Sequence, residues 1–176
     1  MILPRGQQLL LPANPWFIAG TLLSGLMVNL LQNMGLVGNA AWAPDLLSVV
    51  LVFWCIHQPL RVGMTWCFVL GLVTDVHQTS LLGQHALSFS VMGFLALLMH
   101  RRMQWFTGSS QAPQVLPVFV LGTLTDIGVR YLFGRDLPGW SVLIAPLLEA
   151  ALWVPVSFLL LMPQRRAPDP DENRPL

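Results

Sequence analysis

Residues 68–75 read FVLGLVTD, and the stretch returns 51 residues later as FVLGTLTD at residues 119–126. Each copy is an apolar run that ends in a threonine and an aspartate. The same offset of 51 residues also pairs Gly83 with Gly134. Across residues 68–83, eight of the 16 positions match their partners. An aspartate in or beside a bilayer is costly, so a carboxylate that recurs in one apolar setting requires an explanation. The alternative is that the match is a coincidence, because apolar spans use few residue types and short matches between them can arise by chance.

The composition is that of a membrane protein. Hydrophobic residues make up 55% of the 176 residues, charged residues make up 10%, and the mean hydropathy is +0.64. A soluble domain carries about a quarter charged residues. The formal net charge of +1 and the lack of a basic stripe argue against nucleic acid as a partner. Cys55 and Cys67 lie in apolar runs without zinc-ligand spacing, so we expect inert buried thiols.

Apolar stretches that could cross a bilayer occur six times. They cover residues 16–31, 44–56, 62–76, 81–99, 115–133 and 140–162. The second and third are short and must borrow flanking residues or lie where the protein thins the membrane. Pro59 and Arg61 argue against fusing these two, since proline breaks a helix and arginine favours lipid headgroups. We therefore predict an all-α integral membrane protein with a single six-span domain over residues 1–162.

The arginines predict the orientation of the spans. With a cytoplasmic N-terminus, seven arginines fall in inside segments and only Arg130 and Arg135 fall outside, as the positive-inside rule requires. Three of the inside arginines are candidate cytoplasmic anchors at the lipid headgroups: Arg61, Arg101 and Arg102. Both termini are therefore predicted to be cytoplasmic. The polar, proline-rich residues 163–176 are predicted to form a disordered cytoplasmic tail.

This topology brings three aspartates to the outer face. The third and fifth spans both run outward, so Asp75 and Asp126 end at one level, and Asp45 begins an inward-running span there. A parallel internal duplication would produce this arrangement. Asp45 can also simply cap its own helix, and Asp126 can pair with Arg130 one turn later. Asp75 has no basic residue within one turn, so its partner must come from another helix or be water.

Other polar and small residues in the spans are also candidates. Glu149 lies near the middle of the sixth span, where an ionised carboxylate would cost several kcal/mol. It is expected to be protonated, to pair with a backbone group that a proline frees, or to face a polar cavity. Small residues predict close helix packing, within the protein or against a partner helix. The candidate packing positions are Gly20, Ser24, Gly71, Gly83, Ala86 and Ser90.

No catalytic constellation can be assembled from this sequence. It lacks the His-Glu-x-x-His metal pair, the Gly-x-Ser-x-Gly elbow and a phosphate-binding loop. Asp75, His77 and His85 are predicted near the same face, but their spacing fits no compact metal site. Asp75 with Asp126 could form a two-carboxylate site, although nothing fixes their separation. We therefore expect no enzyme activity, no cofactor and no resident metal.

Several motifs lie between residues 44 and 102. They are Pro44-Asp45-Leu46 opening a span, Trp54, residues 59–63 (PLRVG), Phe68-x-x-Gly71-Leu72-x-x-Asp75, residues 81–87 (LLGQHAL) and Arg101-Arg102. Together they resemble the MreD family of bacterial rod-shape-determining membrane proteins. The block Leu82-Gly83-x-x-Ala86-Leu87 after an aspartate is the most specific part. Length, span count and termini agree with the family over essentially the whole chain.

The resemblance implies a non-enzymatic protein of the bacterial cytoplasmic (inner) membrane that supports rod shape and lateral peptidoglycan synthesis. Its implied partner is an MreC-like protein, which has one span and a large outer domain. Both would belong to the elongation machinery with MreB filaments, RodA and a class B penicillin-binding protein. The family is also considered similar in architecture to the six-helix substrate-binding components of energy-coupling-factor vitamin transporters. That similarity concerns the fold, because one fold hosts unrelated functions.

Two functions are compatible with these residues. The leading hypothesis is a membrane scaffold, in which small residues pack against a partner helix and the outer carboxylates with Arg130 add polar specificity. The alternative is a small-molecule carrier whose polar pocket opens at the outer face. Its pocket would be lined by Asp75, His85, Asp126 and Glu149. The lack of an extended polar stripe along any span favours the scaffold.

Overall fold

The computed structural model describes residues 13–34, 42–103, 105–106, 108–136 and 138–164. These residues form six α-helices and three short 3-10 helices, with no strand among them. The α-helices are α1 (Pro15–Asn33), α2 (Leu46–His57), α3 (Met64–Gln78), α4 (Gln84–Met103), α5 (Ala112–Leu132) and α6 (Ala145–Leu161). The 3-10 helices are Gly108–Gln111, Trp140–Ile144 and Met162–Gln164. The predicted all-α fold is therefore confirmed, and each predicted span overlaps one α-helix.

Among the described residues, three helical segments are long and apolar enough to cross a bilayer on their own. They are Pro15–Asn33, Ala112–Leu132 and the combined segment Trp140–Gln164. α2 has 12 residues, which gives a length of about 18 Å, well short of a hydrocarbon core of roughly 30 Å. α4 has 20 residues but ends in a histidine and two arginines, which lower its hydropathy. The predicted tail from residue 165 onward and four of the seven predicted inside arginines lie outside the described residues.

α2 occupies the centre of the bundle, which explains how so short a helix is accommodated. It packs against α1, α4 and α6, and every residue from Leu47 to Ile56 is buried. A helix that is apolar on all sides is a core helix, because it has no face to offer to water. Its length therefore does not need to match the bilayer, since other helices surround it. Trp54 anchors it to α1 by donating from its indole nitrogen to the Thr21 hydroxyl at 2.9 Å.

The two repeat copies lie on α3 and α5, which both pack against α4. At Gly71 on α3, an added Cβ would lie 2.4 Å from the Cα of Ala86 on α4. At Gly122 on α5, an added Cβ would lie 2.5 Å from the Met92 side chain of α4, and the Gly122 carbonyl accepts from the Ser88 hydroxyl. The glycine of each copy therefore lets a flanking helix approach α4 closely.

Three of the other predicted packing positions, Gly20, Ser24 and Gly83, do not pack against another helix of the described chain. An added Cβ at Gly20 would meet nothing within 4 Å, and Ser24 is exposed and donates only to the Thr21 carbonyl. The prediction is wrong for Gly83, which has open space around it and lies in a turn with a φ of 99°. Gly25 is the α1 glycine that contacts another helix, because its Cβ position lies 3.3 Å from the Cα of Leu47. Ala86 is fully buried, whereas Ser90 donates to the Ala86 carbonyl within its own helix.

Candidate functional site at one end of the bundle

Asp75, at the end of the first repeat copy, is a buried carboxylate that caps the neighbouring helix. It is 1% exposed and accepts backbone N–H groups of Gly83, His85 and Ala86 at 2.8, 2.8 and 3.3 Å. The Ser80 hydroxyl and the His85 Nδ1 atom lie 2.9 and 2.8 Å from its Oδ1 atom. The first amides of a helix have no partner inside the helix and attract negative charge. Asp75 of α3 therefore stabilises the start of α4.

The connection between α3 and α4 makes this contact possible. α3 ends at Thr79 in the left-handed region with a φ of 49°, and Gly83 follows with a φ of 99°. These two positions reverse the chain within a few residues, and the second one favours glycine for this reason. As a result the first amides of α4 face back toward the last turn of α3.

Asp126 ends the second copy and contacts the same helix start through a side chain. It accepts from the Gln84 amide of α4 at 2.5 Å and from the Arg130 Nε atom at 3.1 Å. The predicted pairing with Arg130 one turn later is therefore present, with the Asp126 side chain 20% exposed. The carboxylates of both repeat copies thus hold the N-terminus of α4, one from each side.

The rest of the repeated sequence also adopts matching conformations. The hydroxyls of Thr74 and Thr125 each donate to the carbonyl four residues earlier in the same helix. Gly83 and Gly134, which share the repeat register, both have a positive φ, at 99° and 64°. The paired threonines and the paired glycines Gly83 and Gly134 therefore share their local conformation, as expected of a duplicated structural unit.

Asp45 and Glu149 form a second cluster at the start of α2. Asp45 caps α2 by accepting from the Leu47 N–H at 2.9 Å, and it also accepts from the Asn29 amide at 2.8 Å. Its own backbone N–H donates to Glu149 of α6 at 3.1 Å. Glu149 is thus paired with a backbone group, but that group belongs to another helix and was not freed by a proline.

Glu149 lies within the candidate membrane span Trp140–Gln164. Residues 140–144 form a 3-10 helix, so α6 begins only at Ala145 and Glu149 lies in its second turn. The carboxyl group is level with the N-terminus of α2, on the side of the bundle where α4 also begins. It is 6% exposed, and contact with the helix start offsets part of its burial cost.

Hydrogen bonds at this end connect all six helices. We call it the carboxylate end, defined by Asp45, Asp75, Asp126 and Glu149. The bonds join Gln78 to Asn29, Asn29 to Asp45, Asp45 to Glu149, Asp75 to His85 and Gln84 to Asp126. The opposite end, which we call the arginine end, is defined by Arg61, Arg101 and Arg102, since α2 and α4 both run toward it.

The carboxylates of the carboxylate end accept hydrogen bonds from the termini of neighbouring helices, and we call this arrangement the clamp. Both Asp75 oxygens accept hydrogen bonds from the chain itself, which leaves them poorly placed to bind a solute. Among the described residues no group of three or more His, Cys, Asp or Glu side chains is placed to hold a metal ion. His77, the third residue of the metal hypothesis, is exposed and distinct from the buried Asp75 contacts.

The carrier hypothesis requires a pocket that these carboxylates line. A groove of about 300 Å³ lies near the arginine end, and its lining includes none of Asp75, His85, Asp126 and Glu149. The geometry therefore favours a structural role for these four residues over solute binding.

Several residues of this network were missed by sequence reasoning. Asn29, Gln78 and Gln84 take part in three of the five interhelical residue pairs named above, yet they carry no charge and match no motif. The available signal was an amide side chain within or beside an apolar run, where an unpaired polar group is costly. Such residues predict an interhelical hydrogen bond, although they do not identify its partner.

Comparison with known proteins yields one family and one curated relative. The family described as rod shape-determining protein MreD matches residues 13–163. A protein named "Rod shape-determining protein MreD" from Haemophilus influenzae (strain Rd) is 30% identical over 134 residues, which cover 74% of this chain and 80% of that protein. No solved structure matches the chain.

Proposed function

The chain belongs to the MreD family of rod shape-determining proteins, and from this we propose that it is a non-enzymatic membrane scaffold of the bacterial elongation machinery. In this proposal it binds the single span of an MreC-like partner, alongside MreB, RodA and a class B penicillin-binding protein, and so supports lateral peptidoglycan synthesis. The observation that carries the proposal is the family match over residues 13–163. The hydrogen bonds of Asp75, Asp126 and Glu149 add support, because they join neighbouring helices as a structural role requires.

The scaffold would sit in the cytoplasmic membrane with six spans and both termini inside. The positions of the exposed tryptophans support this, since indole rings favour the two membrane interfaces. The tryptophans that are at least 46% exposed are Trp16, Trp66 and Trp105 at the arginine end, and Trp42 and Trp140 at the carboxylate end. Trp54 and Trp153, within α2 and α6, are both fully buried. The carboxylate end would then face outward.

The exposed face of α1 is the surface we propose for the partner helix. Gly20 and Ser24 lie one turn apart on it with open space above Gly20, while Leu23 and Met27 are 56% and 51% exposed. Small residues one turn apart allow two helix backbones to approach closely in a membrane. Because this pair packs against nothing in the described chain, it is available to a helix from another protein.

The test replaces Gly20 by leucine and measures how much MreC-like partner co-purifies from mild detergent. We expect partner recovery to fall about tenfold, equivalent to roughly 1.4 kcal/mol, because a bulky side chain holds the partner helix away. The matched control is Gly128→Leu on α5, where an added Cβ also meets nothing within 4 Å. That variant should retain the partner.

Two results would count against the proposal. Equal recovery with both variants would exclude the α1 face as the docking surface. If no single-span partner co-purifies with the unaltered chain, and cells that lack the chain keep their rod shape, the scaffold function itself is wrong.

A further inference from the structure

An apolar groove lies between the start of α1 and the start of α3, near the arginine end. It has a volume of about 300 Å³, at the lower limit of small-molecule sites. Its lining residues are Pro15, Ile18, Ala19 and Leu22 from α1, with Arg61, Val62 and Trp66 from the α2–α3 connection and α3. One cationic side chain therefore stands in an otherwise apolar lining.

Within the part of the chain that the structure describes, one hydrogen bond holds Arg61 in place and most of its donors stay available. Its Nη1 atom donates to the carbonyl of Ala13, the residue two positions before α1. A guanidinium group has five N–H donors in a planar fork, so this bond leaves several donors for another acceptor. The side chain is exposed. The bond to Ala13 thus orients the guanidinium group without covering it.

The groove combines the features that recognise one lipid molecule. Ile18, Leu22 and Val62 form the buried aliphatic floor of the groove. The accessible apolar surface that a hydrocarbon chain can contact comes from Pro15, Ala19 and Trp66. Trp66 is 46% exposed, as expected of an indole at the boundary between headgroups and acyl chains. Arginine binds phosphate oxygens in a bidentate manner, which lysine does not. A protein helix in the same groove would instead have to cover a guanidinium group and supply an acceptor for it.

We propose that this groove binds one anionic phospholipid, with the phosphate group on Arg61 and an acyl chain between α1 and α3. The inference rests on the proposed topology, which places Arg61 at the cytoplasmic leaflet, where anionic lipids attract basic side chains. It goes beyond general anchoring at headgroups, because it assigns a single lipid to a defined site with an apolar chain path.

The test measures lipid retention by native mass spectrometry on the full chain, purified without any partner. Phosphatidylglycerol and phosphatidylcholine with identical acyl chains are the two probes. We expect one retained phosphatidylglycerol per chain and at least about tenfold weaker binding after Arg61→Gln, the loss typical of a charged hydrogen bond. Glutamine can still donate to Ala13, so this variant should fold.

Two further variants separate the site from general charge. Ala19→Phe fills the groove while leaving Arg61 intact. It should also weaken phosphatidylglycerol binding about tenfold, because the aromatic ring takes the place of the acyl chain and its buried apolar contacts are lost. The double variant Arg101→Gln/Arg102→Gln removes more charge at the same end but lies outside the groove. It should lower phosphatidylglycerol retention clearly less than Arg61→Gln does, because these two arginines contribute only general attraction to headgroups.

Three results would overturn the lipid site. They are equal retention of the two lipids by the unaltered chain, an equal loss in the Arg101/Arg102 control, and full retention after Ala19→Phe. Crosslinking of a Trp66→Cys variant to a partner helix, with no retained lipid, would assign the groove to a protein instead. Because the lipid assay uses the chain alone, a negative result there leaves partner recovery and cell shape as separate tests of the scaffold.

Discussion

Asp75 and Asp126 occupy the same position of the repeat, yet their surroundings differ. Asp75 is fully enclosed and accepts three backbone N–H groups of the neighbouring helix, whereas the Asp126 side chain is 20% exposed with two side-chain partners. The value of a carboxylate to the fold depends on what is left unpaired when it is removed. Removal of Asp75 would leave buried amides without an acceptor, while water can replace much of the Asp126 contact.

We expect Asp75→Asn to lower the free energy of unfolding by about 2–3 kcal/mol, because an amide group presents donors to the donors of α4. The matched variant Asp126→Asn should cost less than about 1 kcal/mol, as expected of a partly exposed ion pair. The measurement is equilibrium denaturation in detergent micelles, followed by tryptophan fluorescence. A larger loss for Asp126→Asn than for Asp75→Asn would contradict the assignment of Asp75 as the main clamp.

Close packing around α4 depends on a glycine in each of its neighbours α3 and α5. Gly71 and Gly122 leave room for α4, but the atoms that an added Cβ would meet differ between the two positions. Gly71 faces backbone atoms of Ala86, which cannot move without shifting the helix. Gly122 faces the flexible end of Met92, which can adopt another rotamer.

We therefore expect Gly71→Ala to destabilise the protein by about 2–3 kcal/mol through overpacking, and Gly122→Ala by about 1 kcal/mol or less. Gly20→Ala should be neutral or stabilising by about 0.5–1 kcal/mol, because it has open space and alanine favours a helix. Thermal unfolding of the three variants in one detergent gives the comparison. If Gly20→Ala proves the most harmful of the three, the exposed position of the α1 face is wrong.

At the scale of the whole molecule, the proposed orientation places the arginine end at the cytoplasmic side and the carboxylate end at the outer side of the membrane. Seven arginines are predicted inside, and of these Arg61, Arg101 and Arg102 belong to the described arginine end. The two native cysteines are free and fully buried, so background labelling of the unaltered chain should be low. Single engineered cysteines can therefore report each end.

Leu82 and Leu60 are a matched pair for this purpose, since both are exposed leucines in turns, at 74% and 100%. A membrane-impermeant maleimide should label Leu82→Cys in intact spheroplasts, because the carboxylate end is proposed to face outward. Leu60→Cys should react only after the membrane is permeabilised. The reverse pattern would invert the proposed topology.

Much of the fold could be predicted because apolar run length and capping residues are local signals. Asp45 as a helix cap and the Asp126–Arg130 pair both follow from spacing alone. The faces of the helices could not be predicted, since lipid and protein core are equally apolar and no polar stripe separates them. For this reason Gly20 and Gly25 look alike in the sequence, although only Gly25 contacts α2. The Asp75 clamp was also hidden, because its main partners are backbone amides.

The central position of α2 has a consequence for the order of events during synthesis. α2 emerges from the ribosome second, but the helix that completes its surroundings, α6, emerges last. The bond between the Asp45 amide and Glu149 joins residues 104 positions apart in the sequence. Until α6 has been synthesised, α2 lacks one of the helices that pack against it, and the Asp45 amide lacks its Glu149 acceptor. We therefore expect α6, the last of the six described helices, to complete the packing around α2.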